Sequence, residues 1–214
     1  MDKEENGLAE MEWIIQFDEL KSSALKELAN IGISHVATAI GEISGEKIDI
    51  SLPDMSYFYK TRLISSDNRG LVGAYLTVEG ISDCTEILIL LSKNDAMALM
   101  NKFINYESVV KTEVSSLSIA DQKSIFCEIV SIITATYFSA VDSMFNLRTQ
   151  CGIPLISFGD GEFSAFINNT LKLNEGISIN TSFSTDKKQL TGNFMLIPDP
   201  KSVDVFFRAI GLAA

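Results

Sequence analysis

Apolar positions along the chain recur at helical and then strand spacings, in an order that runs through twice. After Asp18, a suitable cap, Leu20, Ala24, Leu28 and Ile31 fall three or four apart and predict a helix over about 18–44, stopped at Ser44-Gly45. Gly32 interrupts that helix at a cost of about 1 kcal/mol relative to Ala, which points to a kink or to close approach of another helix. Ile48, Ile50 and Leu52 alternate up to Pro53 and predict a strand over 47–52. Further strands are expected over about 57–64, 71–79 and 84–91. The last carries the unbroken run Ile87-Leu88-Ile89-Leu90-Leu91, as in a strand covered on both faces. Ser92 and Asp95 have capping-box spacing, and Ala96, Leu99, Met100 and Phe103 then predict a short helix to about 105.

The second pass repeats this order. A helix is expected over 119–145, strands over 153–158, 162–169, 176–184 and 191–197, and Asp199-Pro200 opens a final helix ending before Gly211. Such a repeat implies a pseudo-twofold, duplicated α/β sandwich, with a mostly antiparallel sheet covered by long helices. The expected organisation is an N-terminal tail over 1–15 and one domain over 16–214, made of halves at about 16–110 and 117–212.

The repeat extends to polar residues. Ser23, Glu27, Asn30 and Pro53 recur 101 positions later as Ser124, Glu128, Ser131 and Pro154, so the one change is from a carboxamide to a hydroxyl. At 100° per residue, with Ser23 as zero, Glu19, Glu27, Asn30 and Ser34 all lie within about 40° of it, on one narrow edge. The apolar set Leu20, Ala24, Leu28 and Ile31 centres near +95°, roughly beside that edge. The second helix is apolar nearly all round, with Ile125, Phe126, Ile129, Val130, Ile132 and Ile133, which makes the retained Glu128 conspicuous.

Composition narrows the chemistry. With 214 residues, 46% of them apolar, the chain can bury a full core without staples, and Cys84, Cys127 and Cys151 lack paired metal spacing. Seventeen Lys and Arg against 28 Asp and Glu give a net charge of −11, with no basic cluster to grip phosphate backbones, so nucleic acid is not an expected partner. The single histidine, His35, rules out a His-rich metal site and makes a His-based triad hard to assemble. There is no Gly-rich phosphate loop. No secretory leader pattern opens the chain and no uninterrupted apolar run reaches about 18 residues, so a cytoplasmic protein that neither spans nor binds a membrane is expected.

The pattern Ser23, three residues, Glu27, two residues, Asn30, twenty-two residues, Pro53 resembles the signature of the CheC, CheX and FliY phosphatases of chemotaxis. Leu28-Ala29-Asn30-Ile31-Gly32, Ala37-Thr38-Ala39-Ile40 and the stretch Gly192–Pro200 are similar to the family's first helix, last strand and helix entry. With no further switch domain after Ala214, the resemblance is closest to CheC. Ser34-His35-Val36 departs from the family's usual Gly-Asn-Ala, and the second copy lacks its Asn.

The resemblance implies an aspartyl-phosphate phosphatase acting on a phosphorylated CheY-type receiver. Asn30 would orient the attacking water, which a neutral carboxamide can do as both donor and acceptor. Glu27 would meet the receiver's active-site lysine and fix the docking register. Ser23 is a docking or plain helix-surface residue, Pro53 and Pro154 fix turns, and Ser124, Glu128 and Ser131 form a degenerate second site. No metal or cofactor is expected on this chain, because Mg²⁺ would be held by the receiver. The alternative is a non-catalytic adaptor for phosphorylated CheY, the deamidase CheD or the flagellar switch.

Overall fold

The computed structural model describes residues 19–65, 70–81, 85–106, 111–158, 163–185 and 190–212. The expected tail over 1–15, the Asp18 cap and Cys84 lie outside the described residues.

The first half contains helix α1 (Glu19–Ser44), strands β1 (Ile48–Ile50) and β2 (Asp54–Tyr59), helix α2 (Lys60–Ser65), strands β3 (Leu71–Glu79) and β4 (Thr85–Ser92), and helix α3 (Lys93–Ile104). The second half repeats the series: α4 (Ile119–Phe145), β5 (Gln150–Cys151), β6 (Leu155–Ser157), α5 (Phe163–Thr170), β7 (Glu175–Thr185), β8 (Thr191–Ile197) and α6 (Pro200–Ala209). Helix ends follow their local chemistry. Ser92, Ser118 and Asp199 cap α3, α4 and α6 by accepting from the backbone N–H three residues on. Gly45 ends α1 at φ 68°, and Asn146, its equivalent in the repeat, ends α4 at φ 51°.

Among the described residues all strand pairs are antiparallel and form one sheet of eight strands. The pairing is exchanged between halves: β1 and β2 of the first pair with β7 of the second, while β5 and β6 of the second pair with β3 of the first. At the centre β4 pairs with β8, Leu88 opposite Met195. This is the pseudo-twofold arrangement that the repeat implies.

Strand alternation divides the core into two layers. Val72, Ala74, Leu76, Ile87 and Ile89 face the long helices, packing with Leu25, Ile33, Phe126, Val130 and Phe206. Tyr75 and Leu88 point to the opposite face, where Phe58, Phe163 and Ile167 close a smaller core. By length and composition α4 could cross a membrane, with an 18-residue window of mean hydropathy 1.6. Its apolar side is core: Phe126, Ile129, Val130, Ile133, Tyr137 and Phe138 are all buried.

One expected strand turns into a short helix part-way and another is a short helix throughout. The strand expected over 57–64 ends at Tyr59, because its partner β7 begins at Glu175, opposite Tyr59. Beyond that point the chain becomes α2, and the buried Lys60 ammonium donates to the Asn168 and Leu171 carbonyls at 2.9 and 2.6 Å. The strand expected over 162–169 is α5, whose Phe163 and Ile167, four apart, share one buried face. Gly73 makes room for it, since a Cβ there would lie 2.9 Å from the Phe163 ring.

Candidate functional site

Apart from Ser44 at its end, the buried residues of α1 are Leu25, Leu28, Ala29, Gly32, Ile33, Val36, Ala39 and Ile40. They centre about 200° from Ser23 around the helix, not near +95°. The polar edge therefore stands opposite the core, not on its flank, and Leu20, expected to face inward, is 61% exposed. Ser23, Glu27 and Ser34 are exposed and Asn30 is half-buried. The Ser34 hydroxyl donates to the Asn30 backbone carbonyl at 2.7 Å, which leaves the Asn30 carboxamide uninvolved. Among the described residues, neither that carboxamide nor the Glu27 carboxylate has a hydrogen bond or ion pair. One helical turn thus presents an acceptor-only anion and a neutral group that can both donate and accept, with no described residue using them.

Pro53 is buried in the turn joining β1 to β2. That turn is held in place: the Ser51 N–H donates to the Ser182 carbonyl at 2.8 Å, and the Ser182 N–H donates back to Ser51 Oγ at 2.9 Å. Between Ser51 and Pro53, Leu52 is 84% exposed.

In the second copy Ser124 and Glu128 are exposed on α4, Ser131 is half-buried and Pro154 is buried. The Ser131 hydroxyl donates to the Cys127 carbonyl at 2.8 Å, so its only proton is committed to its own helix. The Cys127 thiol lies 3.7 Å from the Pro154 carbonyl oxygen and ties α4 to the second proline turn. Ser131, Ile153 and Pro154 line one cavity of about 610 Å³ with Thr134, Asp142 and Cys151. Burial pushes the Cys151 thiol up; the Thr134 hydrogen bond opposes this and Asp142 reinforces it, the reverse of what a thiolate nucleophile needs.

Behind the two edges the helices meet where Gly32 packs under the Tyr137 ring, the close approach anticipated from Gly32. Tyr137 stacks on Phe194 with centroids 4.9 Å apart. Full burial drives its phenol well above the ordinary range. His35 is exposed and borders a groove between α1 and α4. Among the described residues no group of three or more His, Cys, Asp or Glu could hold a metal ion.

Sequence reasoning missed the buried charges under the sheet. Glu86, fully buried on β4, accepts from Tyr75 O–H at 2.6 Å and from the Lys172 and Leu173 N–H groups at 2.7 and 3.0 Å. A carboxylate beside a run of five aliphatic residues was the signal that could have found it. Its role is to fix the turn after α5, since every partner is internal.

The CheC-like family model matches residues 20–57, the stretch from α1 through β2 that holds Ser23, Glu27, Asn30 and Pro53. The fold is that of Thermotoga maritima FliY, with a TM-score of 0.65 and 13% identity over 91% of this chain and 98% of that one. It is shared with CheX from Desulfovibrio desulfuricans, at TM-score 0.55 and 15% identity over 81% and 99% of the two chains. The FliM middle domain from H. pylori matches at TM-score 0.62 and 7% identity over 90% and 99%.

Proposed function

We propose, for a chain whose matched α1-to-β2 segment and shared fold assign it to the CheC, CheX and FliY family, that it hydrolyses the aspartyl phosphate of a CheY-type receiver domain. The observation carrying this reading is the pair of exposed Glu27 and half-buried Asn30, one helical turn apart and without a hydrogen bond to any described residue through their side chains. Hydrolysis of an acyl phosphate needs an aligned water and stabilised charge more than a strong base. Asn30 orients the water through its amide without bringing a negative charge against the phosphoryl oxygens. Glu27 pairs with the receiver's lysine and sets the helix in register, a contact that strengthens as docking excludes water. Mg²⁺ would be held by the receiver's acidic pocket and would offset the charge of the phosphoryl oxygens there, with the reaction taking place in the cytoplasm.

The test is phosphate release from a phosphorylated CheY-type receiver in excess over the protein. Asn30→Ala is expected to lower the catalysed rate by about 10²–10³-fold. Unchanged release by that variant would remove Asn30 from the mechanism. Because the fold is also that of a FliM middle domain, a non-catalytic adaptor binding phosphorylated CheY, the flagellar switch or CheD is the second reading. An adaptor would hold the receiver without shortening the life of its phosphoryl group.

A further inference from the structure

The geometry points to a binding site for a small organic ammonium ion, in the cavity of about 610 Å³ between the C-terminal half of α4 and the turn joining β5 to β6. The site touches the polar helix edge only at Ser131, and it does not depend on the phosphatase reading.

Three hydroxyls on the less exposed part of the cavity wall have already given their protons away. Ser131 and Thr134 donate to the Cys127 and Val130 carbonyls at 2.8 and 2.9 Å, and Thr149 donates to Asp142 Oδ2 at 3.0 Å. Each oxygen therefore meets the cavity with lone pairs alone. Asp142 adds a carboxylate to the same wall. Its Oδ2 also accepts from the Thr149 N–H at 2.9 Å, while its Oδ1 is buried and has no partner among the described residues. No described lysine or arginine lines the cavity, so nothing there offsets the negative charge. Asp142 also lies in the last turn of α4, where the helix dipole favours a cation. A wall of acceptors with one net negative charge is matched by a head group that carries several N–H donors and a positive charge.

The array belongs to the second half alone. At the offset of 101 that relates the halves, Thr134, Asp142 and Thr149 stand where the first half has Ile33, Gly41 and Ile48. Ile33 and Ile48 are buried core residues, so packing is served at those places without an oxygen. Three separate exchanges, each bringing in an oxygen acceptor, converge on one cavity, and a bound cation accounts for all three. The same cavity also offers apolar contact through Ala135, Pro154 and Ile153, the last 84% exposed. A short methylene stem on the ammonium ion would cover them, which makes a primary alkylamine or diamine the fitting class.

The experiment is calorimetric titration of the full chain with n-butylammonium chloride and with putrescine, at fixed ionic strength, against butyrate and 1-butanol. Saturable binding with a Kd of about 0.1–1 mM is expected for the two ammonium probes, and none for butyrate or butanol up to about 10 mM. Asp142→Asn and Thr149→Val are each expected to weaken binding by at least about tenfold. Thr149→Val, nearly isosteric, carries the test if Asp142→Asn fails to fold. Asp204→Asn, which removes the same charge from an exposed position on α6, is expected to leave the Kd unchanged. No saturable binding of either ammonium probe, equal binding of butyrate or butanol, or a Kd that ignores the Asp142 and Thr149 changes would overturn the inference. So would equal weakening by Asp204→Asn, which would reduce the effect to the general acidity of the chain. Phosphate release is not part of the readout, so failure here leaves the phosphatase reading standing.

Discussion

Gly32 on α1 lies directly beneath the Tyr137 ring on α4, and a Cβ at Gly32 would overlap three atoms of that ring. In an open helix Gly→Ala gains about 1 kcal/mol. Here overpacking against a stacked aromatic costs about 1–3 kcal/mol and outweighs the gain. Gly32→Ala is expected to lower the melting temperature by about 2–6 °C. A variant melting at or above the wild type would mean that the ring yields freely.

Tyr137 also carries a buried hydroxyl with no hydrogen-bond partner among the described residues. Removing it relieves an unsatisfied polar group, so Tyr137→Phe is expected to stabilise the protein by about 1 kcal/mol at neutral pH. The phenol's folded pKa is raised by burial. Its contribution is therefore intact below the ordinary value of 10.0 and is lost as pH rises beyond it, because the unfolded chain releases the proton first. Denaturant melts between about pH 9 and 11 should fall less steeply for Tyr137→Phe than for the wild type; parallel curves would contradict the assignment.

Ser131 stands at the rim of a cavity with space for a longer side chain. In an Asn30→Ala background, Ser131→Asn is expected to restore phosphate release by at least about tenfold. No recovery, with the fold intact by circular dichroism, would mean that the second half lacks more than an amide.

Glu27 is exposed, so the proposed contact with a receiver lysine would be sensitive to salt. Raising salt from about 0.05 to 0.5 M should increase the wild-type KM several-fold. Glu27→Gln should start with a higher KM, respond less to salt, and lose less in kcat than Asn30→Ala. A selective loss of kcat instead would move Glu27 from docking into the chemical step.

Glu86 satisfies two backbone N–H groups under the sheet. Glu86→Ala leaves both without a partner, and a loss of about 3 kcal/mol is expected in urea unfolding. A loss below about 1 kcal/mol would show that water takes over the role of the carboxylate.

Residues with strong local chemistry announced themselves. Ser92 and Asp199 fixed helix starts, Gly45 fixed a helix end, and the Ile87–Leu91 run identified a strand covered on both faces. Around Lys60 and Phe163 the pattern misled, because a run of six to eight residues with alternating apolar positions also satisfies a short helix. The choice there depended on where β7 begins and on the absence of a Cβ at Gly73, facts of pairing and packing between distant segments. The polar edge of α1 was legible from helical spacing. Its orientation away from the core was not, since the spacing of Leu20, Ala24, Leu28 and Ile31 points beside that edge while Leu25, Ile33, Val36 and Ile40 define the inner face. The exposure of Leu52 and Ile153 was invisible, because an aliphatic residue before proline reads as the end of an ordinary strand.

The exchange of edge strands has a consequence for history as well as for folding. A half-length chain of this design could not complete its own sheet, because the partners of its first two strands belong to the other copy; it would have to live as a homodimer. In such a dimer any substitution on the polar helix edge would strike both copies together. Joining the copies in one gene breaks that bond of fate. Asn30 can then stand opposite Ser131 in the repeat, and a symmetric scaffold carries two edges with different side chains.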